Sequence, residues 1–220
     1  MSDNIFREVD EDVRRDRALK LWRAYGKYVI TMALAVVLGV AGSVGWKEYR
    51  QRQRVAESAQ FADALALLDK GEPGLAAQRF IALANEAGDG YGALARLRAA
   101  QSLAAAGDVS GAVALLDRLA GDDGVEPAMR DLARLLAVLH LMDRAEAGEL
   151  DRRLEPLLRE DSVWRASARE LSGLVALRQG EIVRAREIFS ALGEDAGVPA
   201  QLRSRAAEFL AILGNGAGDG

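Results

Sequence analysis

Residues 64–80 read ALALLDKGEPGLAAQRF, and the fold follows from how that stretch divides. Ala64 and Leu67 share one helical face, Gly71 breaks the run, and Ala76 and Phe80 share the face of a second helix. This order describes two helices folded back on each other through a tight turn. The glycine ends the first helix, where left-handed backbone costs least without a Cβ. The small residue lets the second helix approach, and Ala76 and Phe80 then pack between the first helix and its neighbour.

The spacing returns at Ala100, Leu103, Gly107, Ala112 and Leu116, and again at Gly173, Ala176, Gly180, Ala185 and Phe189. The first step is thirty-six residues and the second seventy-three, which is two steps with one extra residue. A middle copy is expected with its turn near Asp143, inside HLMDRAEAGELDRRLEPLL, although that stretch fits the spacing poorly. Breaks at GEPG (71–74), GDG (88–90), GDDGVEP (121–127) and GEDAGVP (193–199) separate segments rich in alanine, leucine, arginine and glutamate, all strong helix formers. Helix pairs at this period predict an all-α solenoid. The spacing resembles the tetratricopeptide pattern W-x2-LG-x2-Y-x3-G-x4-A-x3-F with several large residues missing.

Upstream lies YVITMALAVVLGVAGSVGW, residues 28–46, without a charge between Lys27 and Lys47. A helix of that length is roughly 28 Å long, close to the hydrocarbon thickness of a bilayer. It has no polar face of the kind a core helix keeps. Trp22, Tyr25 and Tyr28 precede or open it, and Trp46 and Tyr49 close it, as interfacial anchors do. Ala41-Gly42-Ser43 resembles a signal cleavage site, but the charged head of twenty-seven residues and the long apolar run fit an uncleaved anchor better. Arg14, Arg15, Arg17, Lys20, Arg23 and Lys27 outnumber Lys47, Arg50, Arg52 and Arg54, which places the N-terminus in the cytoplasm. The expected organisation is a cytoplasmic segment 1–27, a transmembrane helix 28–46, an exported tetratricopeptide-like domain 47–213 and a disordered tail 214–220.

The net charge of −4, without a basic block beyond the juxtamembrane region, argues against nucleic acid. With no cysteine and one histidine, His140, a cysteine nucleophile and a histidine-rich zinc site are excluded. No phosphate-binding loop or dinucleotide fingerprint occurs. Asp122-Asp123-Gly124 lacks the further ligands of a calcium loop and reads as a helix-stopping turn. Glu160 and Asp161 are sequence neighbours that do not face each other on a helix, so they read as the start of the next one. No cofactor, metal or catalytic residue is expected, and the chain is read as a non-enzyme.

Several local matches carry a wider resemblance: Gly45-Trp46 with Tyr49 close behind, Tyr91-Gly92-Ala93-Leu94-Ala95 opening a repeat helix, and Trp164 opening one that runs through Gly173 to Gly180. In these the chain resembles the ancillary SecYEG translocon subunit family of the YfgM type. The head, FREVDEDVRRDRALKLWRAYGKY, is longer and more charged than that family's pattern. The resemblance implies an inner-membrane protein, with SecYEG-type translocon subunits, periplasmic chaperones and exported polypeptides as partners. An anchored scaffold for another envelope complex, without client binding, is the alternative.

Two surfaces are candidates for partners. Solenoids bind peptides on the face lined by their first helices. In this register Leu94, Leu97, Gln101, Leu174 and Leu177 are the inward candidates, with packing against neighbouring helices as the competing role of each leucine. Ala35, Gly39 and Ser43, spaced by four, form a small-residue stripe that would admit another membrane helix or simply reflect membrane-helix composition.

Overall fold

The computed structural model describes the backbone of residues 3–215 and, within it, all side chains except those of 3–21, 23–26, 29, 30, 33, 35, 89, 90 and 215. Every regular element among the described residues is helical: α1 (Asp3–Asp69), α2 (Pro73–Glu86), α3 (Asp89–Ala105), α4 (Val109–Ala120), α5 (Pro127–Leu141), α6 (Ala147–Leu154), α7 (Arg165–Arg178), α8 (Ile182–Glu194) and α9 (Ala200–Asn215). A 3-10 turn, Glu155–Leu157, follows α6. The chain divides into two compact units, Met1–Ala56 and Glu57–Gly220.

In the second unit the helices pair as the sequence predicts. Gly71, Gly107 and Gly180 have φ of 76°, 91° and 73°, and no non-glycine residue among those described has positive φ. Each turn closes the same two bonds. At the first, the Gly71 amide donates to Leu68 O and the Glu72 amide to Leu67 O, both at 2.9 Å; Gly107–Asp108 and Gly180–Glu181 repeat this at the same place in the second and fourth pairs. Orphan carbonyls at the helix end are thereby satisfied, which is why glycine recurs there.

Packing explains the rest of the spacing. Ala64, Ala76 and Phe80 are fully buried in the first pair; Ala100, Ala112 and Leu116 take the same places in the second, and Ala185 and Phe189 in the fourth. Gly173 admits the Phe189 ring so closely that a Cβ there would lie 2.6 Å from Cζ. The core is a chain of four clusters, each shared by consecutive helices, so every repeat is stabilised by its neighbours.

The pale middle repeat is present and differs for a physical reason. Ala137, thirty-seven residues after Ala100, is fully buried but packs in the preceding cluster, and Val138, also fully buried, packs against Leu150 and Leu154 of α6 in its place. Arg144 then stands where the other pairs have glycine. A side chain there disfavours the left-handed backbone, so the chain makes a longer turn over 142–146 instead. Helix α6 is short because Pro156 cannot continue it, and Leu150, Leu154 and Leu157, all fully buried, replace the alanine–phenylalanine pair. Large residues in small slots erased the motif while keeping the core.

Bonds between repeats reuse the period. The Trp164 indole N–H donates to Ala128 O at 2.8 Å, and Arg153 Nη1 donates to Asp117 Oδ1 at 2.7 Å, each across thirty-six residues. Arg178 donates to Met142 O across the same interval. Arg96–Asp122 at 2.6 Å and Arg169–Asp195 at 3.3 Å are one interaction repeated seventy-three residues later. Asp122 and Asp195 also accept from Gly124 N and Gly197 N, so both loops stop their helices in the same way. Glu160 and Asp161 lie in the turn ahead of α7, which starts at Arg165, rather than in its first turn.

In the first unit, among the described residues of α1, the apolar side chains are exposed all round: Met32, Leu34, Val36, Val37, Leu38, Val40 and Val44. Among the described residues no helix is long and apolar enough to cross a membrane. Val29, Ile30, Ala33 and Ala35, four apolar positions of the 28–46 run, lie outside the described side chains. Head residues 3–21 have described backbone only, and positions 1, 2 and 216–220 lie outside the described residues; the nearer tail residues, Gly214 and Asn215, belong to α9.

Candidate functional site

Which face of the stack meets partners is set by how the helices neighbour one another. First helices approach each other directly, α3 with α5, α5 with α7 and α7 with α9, whereas successive second helices stand farther apart. Long side chains span those wider gaps, as Arg153–Asp117 does between α4 and α6 and Arg184–Asp151, at 3.1 Å, between α6 and α8. Tight first helices and splayed second helices make the first-helix side the inside of the curve.

On that side each first helix leaves one narrow stripe uncovered. In α3 it is Leu94, Arg98, Gln101 and Ala105, at steps of four, three and four, while nearly everything else on the helix is buried or half-buried. In α7 the corresponding line is Ser167, Leu174 and Arg178, with Leu177 beside it. In α5 it narrows to Leu139, 53% exposed, with Leu132 and Leu135 half-buried on the same line against the core clusters. The stripe of the central helix is therefore apolar, flanked by stripes that mix leucine with arginine and glutamine. Such a surface buries apolar side chains of a partner at its centre and hydrogen-bonds at its margins.

The candidates from sequence separate cleanly. Leu94, 36% exposed, and Gln101 lie on the α3 stripe, and Leu174 and Leu177 are half-buried on α7. Leu97 is only 5% exposed and sits in the core cluster shared with α4 and α5, so it has no surface for a partner; packing, the competing role, takes it. Leu139 was missed. Without a glycine at the turn the middle repeat had no register, and the leucine-rich run of α5 reads as core throughout. Gly39 and Ser43 are exposed on α1, and the Ser43 hydroxyl donates to Val40 O at 2.8 Å; the side chain of Ala35 lies outside those described.

Charges near the stripes are mostly structural. Glu170, buried at the position of Leu97 in the second pair, accepts two 2.6 Å bonds from Arg205 of α9. Asp131, also buried, accepts from Arg134 at 2.6 Å. His140 is half-buried, and burial pushes its imidazole below its ordinary pKa. Arg96 and the Gly124 N–H hold the Asp122 carboxyl below the usual carboxylate value. Cavities of about 650 Å³ beside Ala99 and Leu115 and about 550 Å³ beside Ser172 and Ile188 open between second helices, at positions seventy-three residues apart. Among the described residues no group of three or more His, Asp or Glu side chains could hold a metal ion.

Comparison with known proteins agrees with this geometry. Residues 20–201 match the tetratricopeptide repeat-like domain family. Among solved structures, the chain is similar to the nearly identical TPR-like repeats of a putative kinesin light chain from Podosopora anserina. That likeness has a TM-score of 0.54 at 14% identity and covers 73% of this chain and 86% of that one. A variant of the same repeats gives a TM-score of 0.55 at 15% identity with the same coverage. At such identity the likeness is one of fold. No curated protein matches the chain.

Proposed function

The chain belongs to the tetratricopeptide repeat-like domain family, and we propose that it is a membrane-anchored protein-interaction module which holds exported polypeptides beside a SecYEG-type translocon. That tetratricopeptide-like domains bind proteins is general to the fold. The observation that carries client binding is Leu139 of α5, exposed between the stripes of α3 and α7, with half-buried Leu132 and Leu135 on the same line. Unfolded exported chains offer apolar segments without fixed structure, and a shallow apolar stripe with adaptable polar margins suits many such sequences.

The anchor reading rests on residues 28–46 and their surroundings. An all-round apolar helix face costs free energy in water and none in lipid. Both aliphatic hydroxyls within the run are bonded inside the helix, Thr31 to Lys27 O and Ser43 to Val40 O, each at 2.8 Å, as a medium without water requires. Orientation with the N-terminus in the cytoplasm of an inner membrane follows the lysine and arginine bias, and puts the repeats in the periplasm. Translocon subunits and periplasmic folding factors as partners come from the resemblance of Gly45-Trp46, Tyr91–Ala95 and Trp164–Gly180 to the YfgM type.

Photocrosslinkers at Leu139 and Leu174 in cells test this. Recovery of nascent exported chains together with translocon channel subunits is the expected result. Recovery of only a fixed set of folded envelope proteins would replace client binding with a scaffold role.

A further inference from the structure

Beyond the apolar run, α1 carries Lys47, Arg50 and Arg54 at steps of three and four, all exposed. At 100° per residue the three fall within a stripe about 60° wide. Their charges are not neutralised by neighbours. Glu48 pairs with Arg52 at 3.0 Å, on another side of the helix. Glu57, the next carboxylate, accepts the Gly88 amide at 3.5 Å. Among the described residues none of the three cations is in a salt bridge with a carboxylate.

Aromatic rings join this stripe to the end of the apolar run. The Arg50 guanidinium lies over the Trp46 ring, 5.2 Å from its centroid, and Trp46 is 6.2 Å from Tyr49. Indole and phenol rings settle at headgroup depth, so the cations next to them stand level with phosphates. Guanidinium groups bond phosphate oxygens through paired N–H donors, and lysine adds a point charge. We propose that Lys47, Arg50 and Arg54 form a binding stripe for the phosphate groups of anionic phospholipids. The stripe rests on the anchor reading above. Its place, within about 12 Å of the end of the apolar run and beside interfacial aromatics, selects a lipid over a soluble anion. Three charges are too few to neutralise a nucleic acid backbone.

The test uses the full chain in vesicles of equal phosphatidylglycerol and phosphatidylcholine, solubilised mildly, with co-purifying lipids counted by mass spectrometry. The wild type should retain phosphatidylglycerol over phosphatidylcholine by about threefold or more, because attraction to an anionic surface grows with each cation. The triple variant K47Q/R50Q/R54Q should retain the two lipids equally. R118Q/R144Q/R152Q, which removes three exposed charges from the repeats, should keep the wild-type ratio. Equal retention by the wild type, or enrichment surviving in K47Q/R50Q/R54Q, overturns the stripe. Carbonate extraction of the same vesicles separates the two claims. Wild-type protein in the pellet keeps the anchor whatever the lipid ratio, and wild-type protein in the supernatant removes anchor and stripe together.

Discussion

Gly173 is the position where the repeat geometry can be tested most sharply. A Cβ added there would sit 2.6 Å from Phe189 Cζ and 2.8 Å from Cε1, against about 3.5–4.0 Å for relaxed carbon contacts. The ring must retreat by about 1 Å, and it has no room: Phe189 is fully buried and stacks on Phe209 with centroids 4.8 Å apart. Overpacking of this kind costs about 1–3 kcal/mol, whereas Gly→Ala in a helix interior returns roughly 0.5–1 kcal/mol. Gly173→Ala is therefore expected to be net destabilising. The second pair shows the compensating choice, since Ala100 there faces Leu116. In a Phe189→Leu background the same alanine should be neutral or stabilising, for a coupling of about 1–3 kcal/mol. Urea unfolding of the four proteins of this cycle, in detergent and followed by circular dichroism, measures that coupling. Amide exchange should place the loss in α7 and α8 and leave α2 and α3 protected. If Gly173→Ala stabilises the wild type, or changes stability equally in both backgrounds, the packing argument fails.

Gly107→Ala should cost about 1–2 kcal/mol by denaturation, with Gly107→Asn cheaper, because φ is 91° and nothing lies within 4 Å of the added Cβ, so the cost is backbone alone. Arg205→Met should cost about 3 kcal/mol by leaving the buried Glu170 carboxylate unpaired, while Glu170→Leu, which installs the residue found at Leu97, should cost less than about 1 kcal/mol; equal losses in urea would refute that asymmetry. His140 has a folded pKa below its ordinary value of about 6.5, so the unfolded chain takes up the proton first. Stability from this site should be full above about pH 7 and fall as pH drops through the unfolded and then the folded value, and urea midpoints of His140→Gln should lack that slope.

The sequence makes the helix pairs legible where one physical demand admits one residue. Left-handed backbone selects glycine at 71, 107 and 180, and close helix approach selects Ala64, Ala100 and Gly173. It hides the middle pair because a turn over 142–146 and leucines at 150 and 154 meet the same demands by other means. The candidate surface is less legible, since leucine serves core and partner alike. Leu97 and Leu94 are three residues apart on α3, and only the packing of α5 against one of them tells them apart. Leu139 carries the same ambiguity inside a helix whose register the motif could not give.

The most direct measurement exploits the absence of cysteine. In the otherwise unchanged chain, single substitutions Leu94→Cys, Leu139→Cys and Leu174→Cys place a thiol on the first-helix stripes, and Val183→Cys, 72% exposed on α8, serves as control. Maleimide labelling is timed with and without an unfolded exported polypeptide. Slower labelling at 94, 139 and 174 with no change at 183 is the expected result. Protection at 183 alone, or none on the stripes, would contradict binding on the first-helix face.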